Sequence, residues 1–132
     1  MALVTVTGIV TRYVNYRDND RILTIFTREL GLVDVSARGC RRQNSPLMMA
    51  SQPFVYGEFV LFCAKDKYSL NSFDMREAFY VLRDDVNRFL AGMYVLALVN
   101  AASKAGDPQI AVFELLYYAL SYMAYSDCDP MD

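Results

Sequence analysis

The hydrophobic pattern of this chain changes period near residue 80. Before that point apolar and polar positions alternate, and after it apolar positions recur every three to four residues. From Leu3 to Val14, Val4, Val6, Gly8 and Val10 share one face, and Thr5, Thr7, Ile9 and Thr11 the other. This predicts a long first strand, and Gly8 within it predicts a bend or bulge. Asn15 to Asp20, NYRDND, is a polar turn. Ile22 to Thr27 is rich in β-branched and aromatic residues, without Gly or Pro, and reads as a second strand. Glu29-Leu30-Gly31 supplies a tight turn, with Gly31 free to take positive φ. Leu32 to Ala37 then alternates, with Val33, Val35 and Ala37 inward and Asp34 and Ser36 outward. Gln43 to Pro53 is an irregular insertion, a loop or a short helix. Phe54 to Ala64 reads as a fourth strand with Gly57 as a second bend, Lys65-Asp66-Lys67 as a turn, and Tyr68 to Phe79 as a fifth strand.

Five strands with the irregular insertion between the third and fourth suit a partly open Greek-key barrel of the OB type. The helical pattern then makes the fold class α+β: an OB-fold barrel over residues 1–80 and a helical segment over 81–132. Arg83-Asp84-Asp85 marks a helix start, where acids complement the dipole. That helix is expected to reach about Ser103 and to end at Lys104-Ala105-Gly106. Asp107-Pro108 predicts the next, with Asp as N-cap and Pro in the first turn, running to about Tyr125 before a frayed tail.

The helical stretches FLAGMYVLALVNA and VFELLYYALSYMAY are apolar nearly all round. Such a helix needs cover on every side. Two helices on one small barrel cannot supply it, so the pattern predicts further chain or a partner over them. Self-association through exposed apolar helices is one expectation. A fragment, or a shortened relative of a longer protein, is the corresponding reading of the chain.

Charge changes the picture more than composition does. The 132 residues carry a net charge of −2 and are 55% hydrophobic, enough for a substantial core. The charge is polarised. Residues 1–46 hold seven Arg against four acids, whereas residues 81–132 hold three bases against seven acids. The absence of His removes His-based triads, His metal sites and imidazole acid–base chemistry. Three cysteines, Cys40, Cys63 and Cys128, lie far apart with no CxxC, so neither a disulfide framework nor a metal knuckle is readable. No nucleophile–base pair, metal cluster or phosphate loop can be assembled, so neither an enzyme nor a cofactor is expected. The N-terminus lacks a basic n-region and a cleavage site, and the apolar run Phe89 to Val99 is shorter than a membrane span of about 20 residues. The chain reads as cytoplasmic.

The chemistry-bearing cluster is Arg38-Gly39-Cys40-Arg41-Arg42 at the end of the third strand, with Arg12, Arg17, Arg21 and Arg28 nearby in sequence. Guanidinium forks match phosphate oxygens, and the second and third strands with the first loop form the usual OB binding surface. The plainer alternative is solvated strand-end charge. Tyr13, Tyr16 and Phe26 are candidates for base stacking; Phe26 and Tyr13 suit packing roles as well, which leaves Tyr16 as the exposed one. Asp18 and Asp20 fit an Asx-turn or a salt bridge to Arg17 or Arg21 better than a metal pair. Cys40 reads as a plain small residue beside Gly39, with a pKa lowered by its basic neighbours as the lesser alternative.

The ordered set Gly8-Ile9-Val10, Asp20-Arg21-Ile22-Leu23-Thr24-Ile25-Phe26-Thr27, Gly31, Ala37-Arg38-Gly39-Cys40-Arg41-Arg42 and Gln52-Pro53-Phe54 resembles the N-terminal part of the bacterial RecO family. The likeness runs through the first 54 residues and continues more weakly into the helices. It implies an OB fold followed by helices, and a recombination mediator that binds and anneals DNA beside RecR, SSB and RecA. On that resemblance the expected partners are single-stranded DNA, double-stranded DNA as an extension, RecR and SSB, with a nucleoid-associated location and no membrane. A protein-interaction adaptor docking RecR or SSB is the alternative. The family tends to be basic between Arg42 and Gln52, where this chain carries Gln43, Asn44, Met48 and Met49.

Overall fold

The computed structural model describes residues 2–104 and 107–125. The expectations for Ala105-Gly106, for Cys128 and for the tail beyond Tyr125 fall outside them. Strand β1 (Ala2–Tyr16) is long enough to serve two neighbours. Ala2 to Ile9 pairs antiparallel with β4 (Tyr56–Ala64), and Gly8 to Tyr16 with β2 (Asp20–Thr27). β2 pairs antiparallel with β3 (Gly31–Ala37), and β4 with β5 (Lys67–Glu77). β3 meets β5 in parallel at Val35–Tyr68 and Ser36–Ser69. The order β1-β2-β3-β5-β4 closes into a barrel, so the expected five-stranded OB fold is present and this short parallel seam shuts it.

The two faces of the strands feed two cores. Val6, Val10, Leu23, Ile25, Val33, Val35, Ala37, Phe59 and Leu61 fill the barrel, joined by Cys40, Ala50 and Val55 from the β3–β4 connection. Outside it, Ile9, Phe26, Leu32 and Phe54 are covered by Phe79, Leu82, Leu96, Phe113, Leu116 and Leu120 from the helical part. Each such side chain contributes about 1.5–3 kcal/mol when fully buried. The rings meet edge-on, Phe26 with Phe113 and Phe54 with Phe89, at centroid distances of 6.0 and 6.1 Å.

Three local expectations need correction, and a fourth, the helix start at Arg83-Asp84-Asp85, holds with one short helix added before it. The β1 bulge falls between Val10 and Arg12, not at Gly8, which instead sits where β1 passes from β4 to β2. β5 ends at Glu77, because Phe79 turns into the left-handed region (φ 52) and drives its ring into the outer core, its N–H held by the Glu77 carboxylate at 2.9 Å. A short α1 (Tyr80–Asp84) therefore precedes α2 (Val86–Ala102), and Asp85 is the N-cap of α2, accepting from the Asn87 and Arg88 N–H groups. α3 begins at Ile110 (Ile110–Tyr125), not at Asp107-Pro108. The Asp107 backbone lies across the β2–β3 turn, so close to Gly31 (φ 69) that a Cβ there would come within 2.3 Å of the Asp107 carbonyl. The helix opens only after that crossing, with the Phe113 N–H on the Gln109 carbonyl.

Between β3 and β4 the chain makes turns and one 3-10 turn at Met49–Ser51. The helices bury one stripe each. Val86, Leu90, Tyr94 and Leu98 of α2 remain exposed, as do Leu115, Tyr118 and Tyr122 of α3. No described helix is long and apolar enough to cross a membrane.

Candidate nucleic-acid interface

Antiparallel pairing brings the end of β1, the start of β2 and the end of β3 to one end of the barrel. Tyr16 stands opposite Asp20, and Arg21 opposite Ala37. The turn leaving β3 is then tied to the β1–β2 loop twice. The Gly39 N–H donates to Asp20 Oδ1 at 2.7 Å, and the Arg41 N–H to the Asn19 carbonyl at 2.9 Å. Gly39 has φ 69, a conformation that suits glycine, and the Arg42 N–H closes the turn onto its carbonyl at 3.1 Å.

This clasp ties together the two segments that carry Arg17, Arg38, Arg41 and Arg42, all exposed. Among the described residues, no carboxylate forms a salt bridge with any of the four. Arg17 sits at positive φ in the loop, with its guanidinium 5.0 Å from the ring centroid of Tyr16, itself 46% exposed. Asp18 and Asp20 are the acids of these two segments, so the local balance is four cations against two anions. Among the described residues Asp20 forms neither the Asx-turn nor the salt bridge expected of it. Its carboxylate is taken by the Gly39 N–H.

The other three candidate arginines are placed differently. Arg21 is half-buried and internally engaged. Its Nε donates to Asn15 Oδ1 (3.0 Å), its Nη1 to the Ser51 carbonyl (3.2 Å) and hydroxyl (3.0 Å), and its Cζ lies 3.8 Å from the Tyr13 ring centroid. Arg12 lies across the outer face of the sheet, its Nε on Thr24 Oγ1, whose hydroxyl donates to Asp34. Arg28 follows the far end of β2, about 26 Å away at 3.3 Å per residue, and pairs with Glu114 of α3 at 3.4 Å.

Of the stacking candidates, Phe26 is fully buried, whereas Tyr13 and Tyr16 are both exposed and each has an arginine over its ring, Arg21 at 3.8 Å on Tyr13 and Arg17 at 5.0 Å on the more exposed Tyr16. Cys40 follows the plain reading of a small packed residue, and its alternative of a lowered pKa does not hold. It is fully buried, and burial pushes its thiol above the ordinary value, outweighing the Ser51 hydrogen bond and the Arg21 charge that pull the other way. Asn19, Asp20 and Ser51 were not singled out as organisers of this surface. Their role depends on contacts 19 to 30 residues apart, which local pattern does not carry.

The sheet face that OB folds commonly use is partly roofed here. The second half of α2 stands over β1–β3, with the Thr11 hydroxyl donating to Asn100 Oδ1 at 2.9 Å. The groove left between them is about 970 Å³, and its charged lining is Arg12, Asp34 and Asp66. Two carboxylates against one engaged guanidinium make it a poorer seat for phosphate than the barrel end.

Residues 1–79 match the family model described as Recombination protein O N terminal. The chain is 37% identical over 121 residues to a DNA repair protein RecO of Alkaliphilus metalliredigens, covering 92% of this chain and 49% of that protein. It is 36% identical over 124 residues to the RecO of Acetivibrio thermocellus, covering 94% and 49%. With the RecO of Caldicellulosiruptor saccharolyticus it shares 35% over 130 residues, 98% and 53%. The chain thus spans about half the length of the curated relatives it matches. With its closed OB barrel and a family match over more than half its length, the chain belongs to the RecO family.

Proposed function

We propose that this chain is a non-catalytic DNA-binding and annealing module of recombinational DNA repair. In this reading the barrel, residues 1–80, takes single-stranded DNA on its basic end, and the helical segment, residues 81–132, serves partner contacts. The observation that carries it is the clasp: a bond from the Gly39 N–H to the Asp20 carboxylate and one from the Arg41 N–H to the Asn19 carbonyl tie the segment of Arg38, Arg41 and Arg42 to the loop that carries Arg17 and Tyr16. In this reading the exposed guanidinium groups of these tied segments collect phosphates, screen strand repulsion and leave bases free to pair. Tyr16 adds a stacking face. Arg12, Arg21 and Arg28 contribute to the field of the domain more than to direct contact.

The test is fluorescence anisotropy of a labelled single strand titrated at several salt concentrations. Changing Arg38, Arg41 and Arg42 together to Ala should lower the slope of log affinity against log salt by about 2, since each phosphate contact contributes roughly 0.7. A triple variant with parental affinity and slope refutes the reading.

A second reading, an adaptor docking RecR or SSB with little DNA affinity of its own, is favoured by one observation. Leu115 and Tyr118 are each 68% exposed on α3, and Leu90, Tyr94 and Leu98 are exposed on α2. A parent chain that binds no single strand even at low salt selects this reading.

A further inference from the structure

We propose that Asp20 is a positioning residue of the phosphate site, an acid that strengthens anion binding by geometry although its charge opposes it. This rests on the reading of the basic barrel end given above. Three things hold the Arg38–Arg42 turn. Cys40 is buried in the barrel core, which anchors the turn without orienting it. The Asn19 carbonyl holds the Arg41 N–H, a backbone bond that no side-chain change removes. The Asp20 carboxylate holds the Gly39 N–H at 2.7 Å, a short charge-assisted bond to the residue at the apex of the arginine run.

Asp20 has no competing use. Among the described residues it enters no salt bridge, although Arg17, Arg21, Arg38, Arg41 and Arg42 all lie within a few residues of it or of its partner Gly39. Gly39 itself sits at φ 69 on a half-buried turn; its carbonyl accepts the Arg42 N–H, and the Arg42 side chain lies 3.6 Å from where a Cβ would stand. Releasing Gly39 therefore loosens Arg38 and Arg42 together.

The two roles of the carboxylate have opposite signs. As a charge, Asp20 repels phosphate, and its removal tightens binding. As an acceptor it pre-organises the guanidinium groups, and its removal weakens binding. Geometry should prevail, because the repulsion is between solvent-screened groups whereas the clasp sets where the arginines stand.

The experiment compares parent, Asp20→Ala, Asp20→Asn, Asp20→Glu and the Arg38/Arg41/Arg42 triple Ala variant, by anisotropy on labelled oligothymidylate at low salt. Thermal melts confirm folding, and hydrogen exchange follows the Gly39 amide. Asp20→Ala should bind about ten-fold more weakly, the equivalent of one lost hydrogen bond of about 1.4 kcal/mol, with faster Gly39 exchange. Asp20→Asn keeps an Oδ1 acceptor and loses the charge, so it should bind at least as tightly as the parent. Asp20→Glu keeps the charge and displaces the acceptor, so it should bind more weakly; it carries the test alone if the Ala variant fails to fold. Parental or tighter binding by both Ala and Glu variants, with the triple variant impaired, overturns the positioning role and leaves the phosphate site standing. A triple variant that binds like the parent overturns the site itself, and the proposal with it.

Discussion

Arg21 and Arg42 are the same side chain in opposite employment. Arg21 reaches Asn15 and Ser51 and stacks on Tyr13, so it joins β2 to the 3-10 turn. A lysine ammonium cannot reproduce that fork and stack. Arg21→Lys should therefore cost about 1–3 kcal/mol in chemical denaturation, whereas Arg42→Lys should cost within about 0.5 kcal/mol. Equal effects would show that Arg21 is not a structural bridge. Cys40 follows a similar logic, with burial prevailing over a basic neighbourhood. Burial raises its thiol above the ordinary 9.0, and burial, with Tyr117 beside it, raises Tyr56 above 10.0. Both groups stay neutral longer in the folded chain than in the unfolded one. Their stabilisation is complete below about pH 9 and is lost as pH climbs through the raised values. Denaturation from pH 7 to 11 should show that alkaline decline, smaller in Cys40→Ala. A thiol reagent should reach the half-buried Cys63 before Cys40 in the native protein.

At the scale of elements, α2 is set on the barrel by a gap in its own side chains. A Cβ on Gly92 would lie 2.8 Å from two atoms of the Phe54 ring, and Phe54 is itself fully buried at φ 73. Gly92→Ala gains up to about 1 kcal/mol of helix propensity and overpacks a fixed ring at a cost of about 1–3 kcal/mol. The net should be a loss in thermal or chemical unfolding, and a more stable variant would refute the close approach. The elements also divide by how legible they were. The alternation of Val33, Val35 and Ala37 carried β3 because one face is barrel core. The start of α3 departs from the local pattern because Asp107 has cap chemistry, whereas its backbone is occupied in crossing Gly31, a contact 76 residues away in sequence. The arginine run was visible for the same reason as β3, since local sequence states it. Which arginines are free was not visible, because Ser51, Glu114 and Thr24 decide it from a distance.

For the whole molecule, the basic barrel end and the apolar helix faces are separate surfaces with separate tests. Leu98 on α2 and Leu115 on α3 are exposed members of those faces. The 132-residue chain should associate with rising concentration in sedimentation experiments, and Leu98→Glu with Leu115→Glu should shift it toward monomer. A parent that stays monomeric throughout would count against self-association. The central claim concerns the other surface. It is tested most directly by titrating the isotope-labelled chain with a short oligothymidylate and following its backbone amide resonances. The account predicts shifts concentrated at residues 16–20 and 38–42, with little change around Arg28 and Glu114 at the far end. Shifts centred instead on Thr24, Asp34 and Asn100 in the roofed groove, or on the Arg28 end, would contradict it.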